Sequence, residues 1–214
     1  MEKPKIIVFA SGTKDGGGSG FENLVDATKT GVLDADILAV VSNHEHGGVR
    51  ERAKRLGVSF IYFPGPYEAD DYRRIMQRTG AEWAVLSGWL RLVKGLNPAK
   101  TVNIHPSLFS QRKFHGPGMY GKKVHDAVAA ALERGEINEI GCTIHFVTSE
   151  MDEGPAIFEY RVPVKANMSG AEVESAVRAI ERKWEPIIVN QVVHGEIRWD
   201  GKDRKSLVVP PNFK

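Results

Sequence analysis

The chain has 214 residues, 42% hydrophobic and 26% charged, the composition of a globular protein long enough to bury a core without covalent staples. A net charge of +2 with dispersed basic residues argues against a nucleic-acid-binding surface, and the single cysteine, Cys142, excludes an intramolecular disulfide and a cysteine-based metal site. No apolar run approaches the ~20 residues that span a bilayer and residues 1–4 lack a signal-peptide layout, so a cytoplasmic protein with no membrane partner is expected.

Residues 5–10 (KIIVFA) form a nearly continuous apolar run, the pattern of a strand buried on both faces. The run ends in a glycine-rich loop, residues 11–20 (SGTKDGGGSG). A helix follows with Phe21, Leu24, Val25 and Ala27 on its apolar side. Residues 36–42 (DILAVVS) read as a second buried strand, 49–56 as a charged helix and 59–63 (SFIYF) as a third strand. A polar helix near 70–78 and a strand at 82–87 (EWAVLS) continue the alternation. Such strand–helix repetition implies an α/β fold, an open, mostly parallel, Rossmann-like sheet with helices on both faces.

Residues 101–105 (TVNIH) predict a shorter strand that stops at Pro106. Beyond a Gly- and Pro-containing segment, 111–123, helical spacing returns at Val124, Val128, Ala131 and Leu132. Two β-rich runs, 142–147 and 156–164, are joined by the turn 148–155 and predict an antiparallel C-terminal hairpin extension. Ser169 and Glu172 have the spacing of a capping box and open a long helix carrying Val173, Val177, Ile180 and Trp184 on one face. Pro186 is expected to kink or restart that helix, because proline lacks the N–H and crowds the preceding turn. With no repeat or linker, residues 1–214 read as one domain.

Three features bear on chemistry. The glycine-rich loop lies between a strand and a helix, where backbone N–H groups and the helix dipole favour an anion. It lacks the lysine of a triphosphate-binding loop and the third glycine of a dinucleotide fingerprint, so a simpler phosphate is indicated. Asn103 and His105 are two apart on a strand and share a face, which suits an oxyanion and a proton, although spacing alone favours hydrogen-bonded structural residues. Asp152 lies in a turn with Glu150 and Glu153. A carboxylate near His105 favours the imidazolium, yet solvated turn residues fit the same pattern. His44 and His46 lack further ligands at metal spacing, and Cys142 reads as a small core residue.

In combination, residues 103–108 (NIHPSL), 141–147 (GCTIHFV), 151–155 (MDEGP), 88–92 (GWLRL) and the strand end at Ser42-Asn43 resemble the folate-dependent formyltransferases, in the family's order. The likeness runs from about residue 5 to 197. It implies formyl transfer from 10-formyltetrahydrofolate to the amine of glycinamide ribonucleotide in purine biosynthesis, without a metal, by a monomer or homodimer. By the same resemblance residues 1–100 hold the phosphate and acceptor, and 101–200 carry catalysis and the folate. Asn103, His105 and Asp152 match the catalytic positions. Trp89, Leu90, Arg91, Leu92, Thr148, Ser149, Glu150 and Met151 match the pterin-holding segments. Gly18, Ser19 and Gly20 match the phosphate cradle, Glu181 matches a residue that contacts the ribose, and Pro106 falls with the substrate-binding positions. Arg178, three residues before Glu181 on the same predicted helix face, is expected to reach the phosphate. His145 is either a support for Asp152 or a half-buried structural histidine.

Two departures stand out. The loop 11–20 is several residues longer than usual in the family and has glycine at position 20 where asparagine is common. Segment 111–123 is also longer than in some relatives. It is either a mobile surface loop, the expectation its glycines and proline favour, or a lid carrying His115, Tyr120 or Lys122 toward substrate. An amino-sugar nucleotide as acceptor, hydrolysis of the formyl-folate and a non-catalytic phosphate-binding module are the alternatives. The regulatory domain of the related hydrolases and the RNA-binding domain of the methionyl-tRNA enzymes are expected to be missing.

Overall fold

The computed structural model describes residues 2–14 and 16–213; Asp15, within the predicted glycine-rich loop, lies outside the described residues, as do Met1 and Lys214. Seven strands form one sheet in the order β3-β2-β1-β4-β5-β6-β7. Strands β1 (Lys5–Phe9), β2 (Asp36–Ser42), β3 (Ser59–Tyr62), β4 (Trp83–Leu86) and β5 (Thr101–His105) run parallel. β6 (Glu139–Phe146) and β7 (Ala156–Pro163) join antiparallel, so the hairpin extends the main sheet. The helices are α1 (Ser19–Thr30), α2 (Gly48–Leu56), α3 (Ala69–Thr79), α4 (Lys122–Glu133) and α5 (Gly170–Val193). None of the described helices is long and apolar enough to cross a membrane.

The apolar run of β1 feeds two separate cores. Ile6 and Val8 pack with Phe21 and Leu24 of α1 and Val177 and Ile188 of α5. Ile7 and Phe9, pointing the other way, pack with Tyr72 of α3 and Trp89. Each fully buried side chain of this size contributes about 1.5–3 kcal/mol by leaving water. On β5 and β6 the pattern changes. Val102, Ile104, Ile140, Cys142, Ile144 and Phe146 join the first core. Asn103, His105, Thr143 and His145 alternate with them and therefore face the opposite side. That run of polar side chains on one sheet face is what the site is built from.

Helix α5 opens at the expected capping box, with Ser169 Oγ accepting the Glu172 N–H and the Glu172 carboxylate accepting the Ser169 N–H at 2.8 Å. The helix does not restart at Pro186: α5 continues to Val193 with Pro186 buried inside it. Proline leaves the carbonyl four residues back, that of Arg182, without its helical donor. The Asn23 side-chain amide of α1 donates to that carbonyl at 2.9 Å. A tertiary hydrogen bond thus replaces the missing helical one.

Candidate active site

The site forms where the sheet reverses its winding. The chain goes outward from β1 through β2 to β3, then returns to place β4 on the other side of β1. The loops leaving the C-terminal ends of β1 and β4 therefore diverge and open a crevice, the usual ligand position in open α/β sheets. A cleft of about 650 Å³ occupies it and reaches the end of β5 and the β6–β7 turn.

His145 stands opposite Asn103 in the β5–β6 register and orients its amide. The Phe146 carbonyl, 2.8 Å from His145 Nδ1, can only accept, so Nδ1 carries the proton. Nε2 is then a lone pair, to which Asn103 Nδ2 donates at 2.9 Å. One N–H of Asn103 remains for the cleft. Burial holds His145 well below the ordinary histidine range, against the pull of Asp152, and so keeps this tautomer neutral. His145 is buried, not half-buried, and its hydrogen bond goes to Asn103, a partner that its sequence position did not indicate.

The β6–β7 turn folds back to bring Asp152 to the same place. Its backbone is left-handed, φ 55°, and its side chain is 8% exposed. Oδ2 accepts the Gly116 N–H at 2.9 Å and lies 3.5 Å from His105 Nδ1; Oδ1 lies 3.7 Å from His145 Nε2. The turn requires glycine at 154, where a Cβ would stand 1.6 Å from the Phe146 carbonyl oxygen.

His105 Nε2 donates to the Phe114 carbonyl at 2.8 Å, which leaves Nδ1 facing Asp152. Burial pushes its pKa down, and Asp152 and the Phe114 carbonyl only partly offset this. Desolvation of the buried ring thus works against the Asp152 charge that favours the imidazolium. Residues 111–123 lie largely at the surface but are tied to the site at two points, Phe114 and Gly116. Phe114 is buried, and its carbonyl also accepts from Ser107 Oγ at 2.9 Å. Tyr120 and Lys122 line the cleft. His115 does not, and its ring packs on Phe109 with centroids 4.6 Å apart.

At one side of the cleft, Trp89, Leu90, Arg91 and Leu92 face Val147, Thr148, Glu150 and Met151. Ser149 is exposed and outside the cleft, unlike its neighbours. The Leu90 N–H donates to Ser11 Oγ at 2.9 Å, and the Tyr72 hydroxyl donates to the Leu92 carbonyl at 3.1 Å. Trp89 is buried among Phe9, Phe63 and Tyr72, with its indole N–H donating to the Tyr72 oxygen at 3.1 Å. It forms wall, while Leu90 and Leu92 present exposed apolar surface. Such a slot, apolar with backbone groups at its edges, suits a flat ring system with a polar rim.

At the other side, Gly18 (φ 80°) precedes α1 without any side-chain cap, leaving the first N–H groups of the helix open to an anion. Gly18, Ser19, Gly20, Pro106, Arg178 and Glu181 all line the cleft. Arg178 pairs with Glu174 at 2.5 Å. Sequence reasoning missed Ser87, His125, Glu174, Arg182 and Glu185, which line it too. On α5 a signal existed: positions 174, 178, 181, 182 and 185 repeat at helical spacing as a polar stripe beside the apolar one. His125 and Ser87 are isolated polar residues that only tertiary contact brings to the cleft. Among the described residues, no group of three His, Cys, Asp or Glu side chains is arranged to hold a metal.

Known proteins resemble this chain over most of its length. The formyl transferase family matches residues 4–189. The chloroplastic phosphoribosylglycinamide formyltransferase of Arabidopsis thaliana is 31% identical over 211 residues, covering 92% of this chain and 68% of its own. The Escherichia coli phosphoribosylglycinamide formyltransferase is 29% identical over 208 residues, covering 90% of this chain and 89% of its own. Among solved structures, glycinamide ribonucleotide transformylase 1 from Symbiobacterium toebii superposes with a TM-score of 0.79 at 27% identity, over 97% of this chain and 95% of that one.

Proposed function

Since the chain belongs to the formyl transferase family, we propose that it transfers a formyl group from 10-formyltetrahydrofolate to the amine of glycinamide ribonucleotide, a step of purine biosynthesis. The observation that carries this reading is the meeting of Asn103, His105 and Asp152 in one cleft with an apolar slot and an uncapped helix N-terminus. The slot formed by Leu90, Leu92, Val147 and Met151 fits a pterin, and the α1 N-terminus with Arg178 fits a phosphate.

The folate supplies the formyl group; the residues manage charge and protons. As the amine attacks, negative charge gathers on the formyl oxygen, and the free N–H of Asn103 is the donor available to it. Removing a preorganised donor of this kind costs about 2.7–4 kcal/mol. His105 adds a second donor once its Nδ1 takes up a proton, because its Nε2–H is already held by the Phe114 carbonyl. Nδ1 is the looser side, since its 3.5 Å gap to Asp152 exceeds the roughly 2.7–2.9 Å of a charge-assisted bond. Asp152 accepts the proton that the amine releases, and the leaving folate nitrogen takes one up. No nucleophile on the protein is needed, consistent with a buried Cys142 whose thiol is held well above its ordinary range by burial.

The test is a coupled assay of tetrahydrofolate release, with glycinamide ribonucleotide and an amino-sugar nucleotide compared side by side. Turnover only with the sugar nucleotide overturns the acceptor assignment. Release with neither acceptor present assigns hydrolysis instead.

A further inference from the structure

Three consecutive glycines, 16 to 18, lead into α1, so the backbone before that helix needs a constraint from outside the loop. The Thr13 N–H donates to the Gly16 carbonyl at 2.8 Å, and the pair rests on Gly47 and Gly48 at the start of α2. A Cβ on Gly47 would overlap the Thr13 carbonyl oxygen and stand 2.8 Å from that of Lys14; one on Gly48 would stand 2.5 Å from the Gly16 carbonyl carbon. The two bare glycines are thus a seat for the extra length of the loop. From α2, Arg52 reaches over this seat. Its Nη1 donates to the Gly17 carbonyl at 2.8 Å, and its Nε donates to Glu22 Oε2 on α1 at 2.7 Å. Glu22 Oε1 accepts from Arg55 at 2.6 Å. Gly17 and Gly18 line the cleft, whereas Arg52 does not.

The C=O and N–H of one peptide unit point in opposite directions across its plane. With the Gly17 carbonyl held on Arg52, the Gly18 N–H is turned away from Arg52, to the side of the cleft. A flipped peptide would set a carbonyl oxygen against an incoming anion instead. The flip reverses the sign of φ at Gly18, now 80°, and glycine accepts either sign at similar cost. The loop's own sequence does not prevent the flip; a charge-assisted hydrogen bond to that carbonyl does. We propose that Arg52 is a positioning residue for the acceptor: braced on Glu22, it locks the Gly17–Gly18 peptide with its N–H toward the phosphate. The proposal rests on the reading of the α1 N-terminus as the phosphate site. It requires an arginine, because Nε and Nη1 serve two acceptors at once, which a lysine ammonium cannot do in the same planar geometry.

The experiment compares wild type with Arg52→Ala, Arg52→Lys and Arg55→Ala, by steady-state kinetics and by calorimetric titration with ribose 5-phosphate. Arg55→Ala is the control for charge: it takes a cation from Glu22 but leaves the Gly17 carbonyl held. The expected result is an acceptor KM and a ribose 5-phosphate Kd raised about tenfold in Arg52→Ala, the loss of one charge-assisted hydrogen bond. The folate KM and kcat stay as in wild type, Arg52→Lys recovers part of the loss, and Arg55→Ala changes little. Should Arg52→Ala not fold, Gly47→Ala decides, since its methyl group pushes the loop off its seat and is expected to raise the same two constants. Affinity for ribose 5-phosphate within about twofold of wild type in Arg52→Ala overturns the lock, as does an equal loss in Arg55→Ala. A lower thermal midpoint and kcat with an unchanged acceptor KM overturns it too, by showing a merely structural role. Absence of millimolar binding by wild type overturns it together with the phosphate reading. Should wild type bind the sugar phosphate in an Arg52-dependent way yet fail to formylate glycinamide ribonucleotide, only the functional reading falls.

Discussion

Asn103 reaches the cleft with one of its two amide N–H bonds already committed to His145. That commitment fixes which atom faces a ligand, because the Phe146 carbonyl dictates the His145 tautomer and the tautomer dictates the amide. Asn103→Ala is expected to lower kcat about 10²–10³-fold with the thermal midpoint little changed, as loss of one oxyanion donor does elsewhere. Steady-state kinetics at saturating folate decide this, and wild-type turnover would remove Asn103 from the chemistry. Gly154 is tested differently. A methyl group there meets the Phe146 carbonyl at 1.6 Å, so Gly154→Ala must displace the turn that holds Asp152. A stability loss of about 1–3 kcal/mol follows from overpacking. A fall in kcat accompanies it if the turn sets the Asp152 position; a destabilised variant with full kcat shows that it does not.

At the scale of elements, the strands were legible because period and burial agree. β2 and β5 span the residues that their apolar runs predict, and α1 buries the same four side chains, Phe21, Leu24, Val25 and Ala27. What was not legible depended on a partner distant in sequence. That α5 runs on through Pro186 depends on Asn23, and the hydrogen bonds made by the Phe114 carbonyl and the Gly116 N–H leave no local pattern within 111–123. The polar pair Asn103 and His105 on β5 showed itself through period 2, whereas Glu185 and Ser87 come together only after α5 docks against the sheet. The Pro186 account makes its own prediction. Asn23→Ala is expected to destabilise the wild type by about 0.5–1.5 kcal/mol, since the Arg182 carbonyl loses its donor. In a Pro186→Ala background the helix supplies its own N–H, and the same substitution is expected to cost much less. Equal losses in both backgrounds, by denaturant titration, would exclude the replacement bond.

Across the whole molecule, the cleft concentrates buried ionisable groups of both kinds, and their effects on stability have opposite signs. His105, His125 and His145 are all lowered from 6.5, burial being the largest cause in each. Below pH 6.5 the unfolded chain takes up protons that the folded one refuses, so these groups withdraw stability as pH falls. Glu185 is raised by burial from 4.5 to about 7, and Glu181 is raised as well. From pH 4.5 upward the unfolded chain has released protons that the folded one still holds, so these groups withdraw stability as pH rises through their folded values. Between 4.5 and 6.5 the two sets oppose one another. Above 6.5 the histidines are neutral in both states, and the carboxyls act alone. The thermal midpoint is therefore expected to decline from pH 6.5 to 8.5 by a few degrees. Glu185→Leu should flatten that decline and raise the midpoint more at pH 8.5 than at pH 5, where its carboxyl is still largely protonated in the fold. Scanning calorimetry of both proteins across this range is the measurement. Parallel profiles above pH 6.5 would mean that Glu185 ionises as freely in the fold as in the unfolded chain, and that the cleft is wetter around α5 than its buried carboxyl implies.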